Sequence, residues 1–192
     1  MRYRRAWIPG GLFFFTVVTA GRRPVLASAE AVAVLRSAFR AVRSRYPFEV
    51  DAMVVMPDHI HCIWTLPPND ADFATRWRLI KTWFTKRCDP ALRGIVSGYN
   101  EVSGYAALTR PTEATSAPAT AIWQHRYWEH VLRDEEDYAR HVDYIHFNPV
   151  KHGLVAAARE WPYSSFQRFV EAGMYPPDWG QSVMNFEGVG HE

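Results

Sequence analysis

The sequence predicts an α+β domain, a ferredoxin-like antiparallel sheet with helices packed on one face. Three observations lead there. The elements read in the order β-α-β-β-α-β-α, each strand is short, and each helix has one apolar stripe. A chain of 192 residues, 48% of them hydrophobic, can bury one ordinary core and is not disordered in composition. No internal repeat is present.

Leu12 to Thr19 is a run of β-branched and aromatic residues ending at Gly21, which predicts the first strand. Ser28 can cap a helix running to about Tyr46. Its stripe is Val32, Leu35, Phe39, Val42 and Tyr46, with Arg36, Arg40 and Arg43 on another face. Phe48, Val50, Ala52, Val54 and Met56 alternate with other residues and predict a strand with those five on one side. Pro57-Asp58 makes a tight turn, and His59 to Leu66 returns as the third strand. Phe73 to Arg87 is the second helix, with Phe73, Trp77, Ile80 and Phe84 buried and Arg78, Lys81 and Lys86 outside. Residues 94–121 lose all periodicity and read as a surface insertion without a role in chemistry. Tyr127 to Arg133 is a further strand. Glu135 to about His152 is the third helix, stopped by Gly153. The domain then spans 1–160, and 161–192 read as an irregular C-terminal extension.

Net charge is only +2, so charge alone does not identify a partner. Arginines cluster at Arg2, Arg4, Arg5, Arg22 and Arg23, and the chain holds 8 Trp, 9 Tyr and 11 Phe, more aromatics than a core requires. Together these suit a phosphate backbone and stacked bases. Cys62 and Cys88 stand alone, which excludes a four-thiolate zinc site and a disulfide framework and suits a reducing cytoplasm. The apolar stretch near the N-terminus is broken by Pro9-Gly10-Gly11. It does not approach the roughly 20 residues of a membrane span, so no membrane partner is expected.

Two short segments carry chemistry. On a strand, residues two apart share a face, so His59 and His61 point one way while Ile60, Cys62, Trp64 and Leu66 point the other. Two imidazoles on a rigid strand suit a divalent metal. On the third helix, Tyr144 and Asn148 are four apart and share a face. Tyr138, Val142 and Ile145 form a separate stripe that docks the helix, which pushes Tyr144 off the core face. Lys151 falls near Tyr144 if the helix continues past Pro149, a residue that disfavours helical geometry at Asn148. A phenol is a poor nucleophile on its own; a metal that polarises a phosphate makes phosphorus easier to attack. Two histidines and an amide oxygen suit Mg²⁺ or Mn²⁺ and leave positions open for phosphate oxygens.

The stretch Val55-Met56-Pro57-Asp58-His59-Ile60-His61-Cys62-Ile63-Trp64 resembles the HUH motif of single-tyrosine transposases. Trp123-Gln124-His125-Arg126-Tyr127-Trp128-Glu129-His130, the segment His141 to Gly153 and the opening Tyr3 to Gly11 resemble the REP-associated tyrosine transposases in particular. The resemblance covers most of the chain, in order. It implies an HUH nuclease fold and a metal-dependent endonuclease and strand transferase acting on single-stranded DNA at repetitive extragenic palindromic (REP) hairpins. It maps the nucleophile to Tyr144, through a 5′-phosphotyrosine intermediate, and the metal ligands to His59, His61 and Asn148. Arg4, Arg5, Arg22, Arg23, Lys81, Trp83, His130 and Lys151 are the candidate DNA contacts, on a monomer or homodimer in the cytoplasm. The principal rival is a catalytically idle single-strand binding protein or repressor on the same fold, which would bind DNA without forming adducts. A replication initiator or relaxase is usually longer, and a plain metal hydrolase needs no tyrosine.

Overall fold

The computed structural model describes residues 8–91, 121–180, 186 and 189. The candidate contacts Arg4 and Arg5 and residues 94–120 of the insertion lie outside the described residues.

Strand β1 (Leu12–Val18) is central. It pairs antiparallel with β3 (His59–Thr65), from Leu12 opposite Thr65 to Val18 opposite His59, and on its other side with β4 (Trp128–Val131). Strand β2 (Glu49–Val55) pairs with β3, so the order is β2-β3-β1-β4 and every pair is antiparallel. With α1 (Ala29–Arg43) between β1 and β2 and α2 (Phe73–Arg87) between β3 and β4, this is the ferredoxin-like topology.

Caps start the helices where the sequence places them. The Ser28 hydroxyl accepts from Ala31 N–H at 3.2 Å and the Asp72 carboxylate from Thr75 N–H at 2.9 Å. The stripes of α1 and α2 then close over Phe13, Phe15, Val17, Ile60, Cys62 and Trp64, with Trp64 stacked on Trp77 at 4.3 Å. Each such fully buried large side chain contributes about 1.5–3 kcal/mol.

The third helix, α3 (Glu135–Lys151), lies on the opposite face. It packs with Phe14, Ala52, Val54, Met56 and Ile63, so the sheet is covered on both sides and not on one face as the sequence predicts. That explains why β1 is apolar on both faces, Thr16 apart, rather than alternating. Asp134 caps α3, and Glu135, Glu136 and Asp137 place negative charge at the positive end of the helix dipole. Pro149 sits in the last turn, where its missing N–H interrupts the ladder near the helix end. His152 N–H still bonds Asn148 carbonyl at 3.0 Å, and Gly153 takes φ +65° to end the helix.

Two local expectations are corrected. The five alternating residues of β2 do not share a face: a bulge between Val50 and Ala52 inserts one residue. Phe48 and Val50 therefore join the α1/α2 side, while Ala52, Val54 and Met56 join the α3 side. The chain from Trp161 to Gly180 is not irregular throughout. Tyr163 carbonyl accepts from Val55 N–H, Ser165 N–H and hydroxyl bond Met53 carbonyl and N–H, and a short helix α4 (Phe166–Glu171) follows. The segment hides the free edge of β2, whose backbone groups would otherwise lack partners.

Candidate active site

The turn Pro57-Asp58 sets the first histidine. Met56 N–H bonds His59 carbonyl at 2.8 Å, Thr19 N–H and hydroxyl both bond Asp58 carbonyl, and Leu26 N–H bonds Pro57 carbonyl. Held this way, Asp58 places a carboxylate oxygen 2.6 Å from His59 Nδ1. Burial works against the Asp58 charge, but the His59 bond and the His59 and Arg22 charges outweigh it, so its pKa falls below the usual carboxylate value. Arg22 Nη1 is 3.2 Å from the other carboxylate oxygen.

His61 is set across the sheet. It lies opposite Thr16 in register, and Thr16 Oγ1 is 2.9 Å from His61 Nδ1. The two imidazoles share a face, as expected, with ring centroids 4.7 Å apart, and both are fully buried. In each ring Nδ1 is engaged by a neighbour, which makes Nε2 the nitrogen that a metal would take. His59 Nε2 is buried without a hydrogen-bond partner among the described residues. A histidine oriented by a carboxylate through one nitrogen, with the other dry and unsatisfied, fits a divalent ion.

Helix α3 crosses over this pair. The Tyr144 ring lies 5.1 Å from that of His61, and the His152 ring lies 5.6 Å from that of His59. Asn148, fully buried, is midway between Tyr144 and His152 at four-residue steps. Tyr144, Asn148 and His152 thus form a stripe over His61 and His59. Lys151 Nζ lies 4.9 Å from the Tyr144 ring centroid.

Tyr144 is not pushed off the core face. It is 1% exposed, between Phe14 on the sheet and Phe186. The reason is the side of the sheet that α3 covers. A helix on the histidine face presents Tyr144 together with Val142 and Ile145 to the sheet, and the Phe186 ring lies against Tyr144.

The chain is similar to known proteins over nearly its whole length. Residues 13–71 match the family described as "Transposase IS200 like". The REP-associated tyrosine transposase of Escherichia coli (strain K12) is 43% identical over 184 residues, 96% of this chain and 93% of its own. The chain belongs to the REP-associated tyrosine transposases. A relative from Haemophilus influenzae is 40% identical over 178 residues, 93% of this chain and 92% of its own. The solved structure of a REP-associated tyrosine transposase bound to a REP hairpin superposes with TM-score 0.77 and 40% identity, covering 100% of this chain and 98% of that one. This member is therefore a transposase, an enzyme of DNA transposition, in a family whose catalysis depends on metal.

The other candidate residues of this transposase are dispersed. Arg22 is tied to Asp58 and so to the histidine pair. Arg23 donates to the carbonyls of Ala20 and Ala121. Lys81 donates to Gln124 carbonyl at 3.1 Å, and Trp83 is stacked by the Arg87 guanidinium at 3.6 Å; both lie on α2, across the sheet from Tyr144. His130 is held by Asp137 at 2.9 Å. Sequence reasoning missed Asp58, Thr16 and His152 as parts of the site. Thr16 is the lone polar residue in the β1 run, and His152 continues the four-residue spacing from Tyr144, so both signals were present. No helix among the described residues is long and apolar enough to cross a membrane.

Proposed function

We propose that this transposase is a single-stranded DNA endonuclease and strand transferase acting at REP-type hairpins, with Tyr144 as nucleophile. His59, His61 and Asn148 would hold Mg²⁺ or Mn²⁺. The observation that carries the reading is the Tyr144 ring at 5.1 Å from His61, whose partner His59 keeps a buried donor atom unsatisfied. The hairpin-bound relative of the same length supports the substrate class, and two buried free cysteines suit a cytoplasmic setting.

When bound, the ion would withdraw charge from the phosphate oxygens and orient the scissile phosphate. Tyr144 Oη attacks phosphorus, the bond from phosphorus to O3′ breaks, and a 5′-phosphotyrosine forms. The proton lost by the phenol is matched by the one the departing 3′-oxygen gains. A second 3′-hydroxyl attacks the phosphotyrosine and regenerates Tyr144; no ATP is needed because the diester energy is conserved. Lys151, beside the phenol ring, favours the developing phenolate and the incoming phosphate. Because Tyr144 is covered by Phe186, substrate entry requires that cover to be displaced.

The test uses a 3′-labelled single-stranded hairpin with Mn²⁺. Wild type gives a labelled covalent band that EDTA abolishes. Tyr144→Phe removes one oxygen, so adduct and cleavage vanish together while binding survives, and Tyr138→Phe remains active. A phosphotyrosine peptide mapping to another tyrosine would displace Tyr144 from this role. Cleavage without adduct in Tyr144→Phe would make the enzyme a hydrolase that uses water.

A further inference from the structure

Apart from the Tyr144 site, three ligand-type side chains from two elements converge. His130 comes from β4, and Asp137 and His141 come from one face of α3, four residues apart. One donor atom of each lies within 4.8 Å of the other two. Asp137 bridges the histidines, with Oδ2 at 2.9 Å from His130 Nε2 and Oδ1 at 3.0 Å from His141 Nδ1. The two imidazoles are nearly parallel, 16° apart in plane with centroids at 4.9 Å. Trp128 stacks on the His130 ring and Phe14 closes against His141.

His141 decides how the cluster is read. Its Nδ1 lies 2.8 Å from the backbone carbonyl of Asp137, which can only accept, so Nδ1 carries the proton. Nε2 therefore holds the lone pair. His141 is 3% exposed, and this nitrogen is buried with no hydrogen-bond partner among the described residues. A ring fixed by donation to a backbone carbonyl, with its lone pair kept dry, is how proteins present imidazole to a metal.

We propose that His130, Asp137 and His141 form a second divalent-metal site, separate from His59 and His61, that takes transition ions of the zinc class. Two imidazoles and one carboxylate suit Zn²⁺, Co²⁺ or Ni²⁺ rather than the oxygen-preferring Mg²⁺. Around a four-coordinate ion with bonds of about 2.0–2.2 Å, ligand atoms stand about 3.4 Å apart, so loading the site would turn the two imidazoles out of their stacked arrangement and swing the Asp137 carboxylate from His141 Nδ1 toward Nε2. His130, 22% exposed, leaves an entry path and room for a water as fourth ligand. The ion takes the place of the proton shared by His130 and Asp137, so binding releases a proton and strengthens as pH rises. It would fasten β4 to the start of the helix that carries Tyr144, three residues beyond His141.

The full chain, stripped with chelator, is titrated with Zn²⁺ against a chromophoric competitor, and Co²⁺ absorption is recorded in parallel. Wild type is expected to bind one equivalent more than His130→Gln or Asp137→Asn, each with wild-type circular dichroism. The double variant His59→Ala/His61→Ala is expected to keep that equivalent, and Zn²⁺ to raise the Tm of this double variant but not of His130→Gln carrying the same two changes. Folded His130→Gln and Asp137→Asn proteins that bind as much Zn²⁺ as wild type would overturn the site. So would loss of all binding in the His59/His61 double variant.

Discussion

The ammonium of Lys151 stands 4.9 Å from the ring centroid of Tyr144, two helical turns further along α3. Contact at i+7 means the lysine lies along the same side of the helix as the tyrosine, and a cation over an aromatic face lowers the cost of ionising the phenol. Lys151→Met keeps the aliphatic stem and removes the charge. Adduct formation should slow by about 10- to 100-fold, equivalent to about 1.4–2.7 kcal/mol of barrier, with thermal stability unchanged. A rate equal to wild type in a single-turnover assay would remove Lys151 from the reaction.

Asp58 orients His59 through a 2.6 Å contact and is itself braced by Arg22. Asp58→Asn preserves the turn but weakens the basicity of the ligand ring, and such changes typically reduce metal affinity 10- to 100-fold. A Mn²⁺ titration of cleavage should show the half-saturating concentration rising by that factor, with activity recovered at high Mn²⁺. An unchanged titration would mean that Asp58 serves only the turn.

How much was readable in the sequence depended on whether a signal was local. The cap residue Ser28, the bounds of α2 and the shared face of His59 and His61 all follow from short-range rules, and the structure reproduces them. The bulge at Val50 left no mark, because the β2 residues are apolar on both sides of it and two-residue alternation cannot register an inserted residue. The burial of Tyr144 depended on which sheet face α3 covers and on contact with Phe186, forty-two residues away, and neither is encoded in helix periodicity. Among the candidate DNA contacts, charge alone does not separate Lys151, at the tyrosine, from Lys81, which serves a carbonyl on the other side of the sheet.

Arg76 is a charge in the core, 1% exposed, and its guanidinium is met by both Asp70 oxygens at 2.6 and 3.1 Å and by the carbonyls of Asp72 and Pro47. Removing the carboxylate strands the cation, at a cost of about 3 kcal/mol. For a domain of this size that lowers Tm by about 6–12 °C. Asp70→Ala should show this by calorimetry, while the specific activity of the folded fraction holds, because the pair lies on the α1/α2 side. A Tm within a degree or two of wild type would show that the two carbonyls suffice.

His146 gives the fold an acid limit. Its Nε2 is 2.8 Å from the Ser165 hydroxyl, its Nδ1 is buried without a hydrogen-bond partner among the described residues, and it packs against Phe166, Phe169 and Tyr175. Burial, with a smaller contribution from the Arg168 charge, depresses its pKa to about 3. The neutral ring is therefore the folded form, while the unfolded chain protonates near the ordinary value of 6.5. Between those two values the unfolded state binds the extra proton, so stability falls as pH is lowered through that window and is unaffected by this group above it. The full span corresponds to a loss of a few kcal/mol at order-of-magnitude level. Urea unfolding of wild type should show the midpoint dropping steadily from pH 6.5 to pH 4.5. His146→Gln, which keeps a donor for Ser165 and has no titratable proton, should drop more shallowly over the same range. Equal slopes in the two proteins would assign the acid sensitivity to other groups.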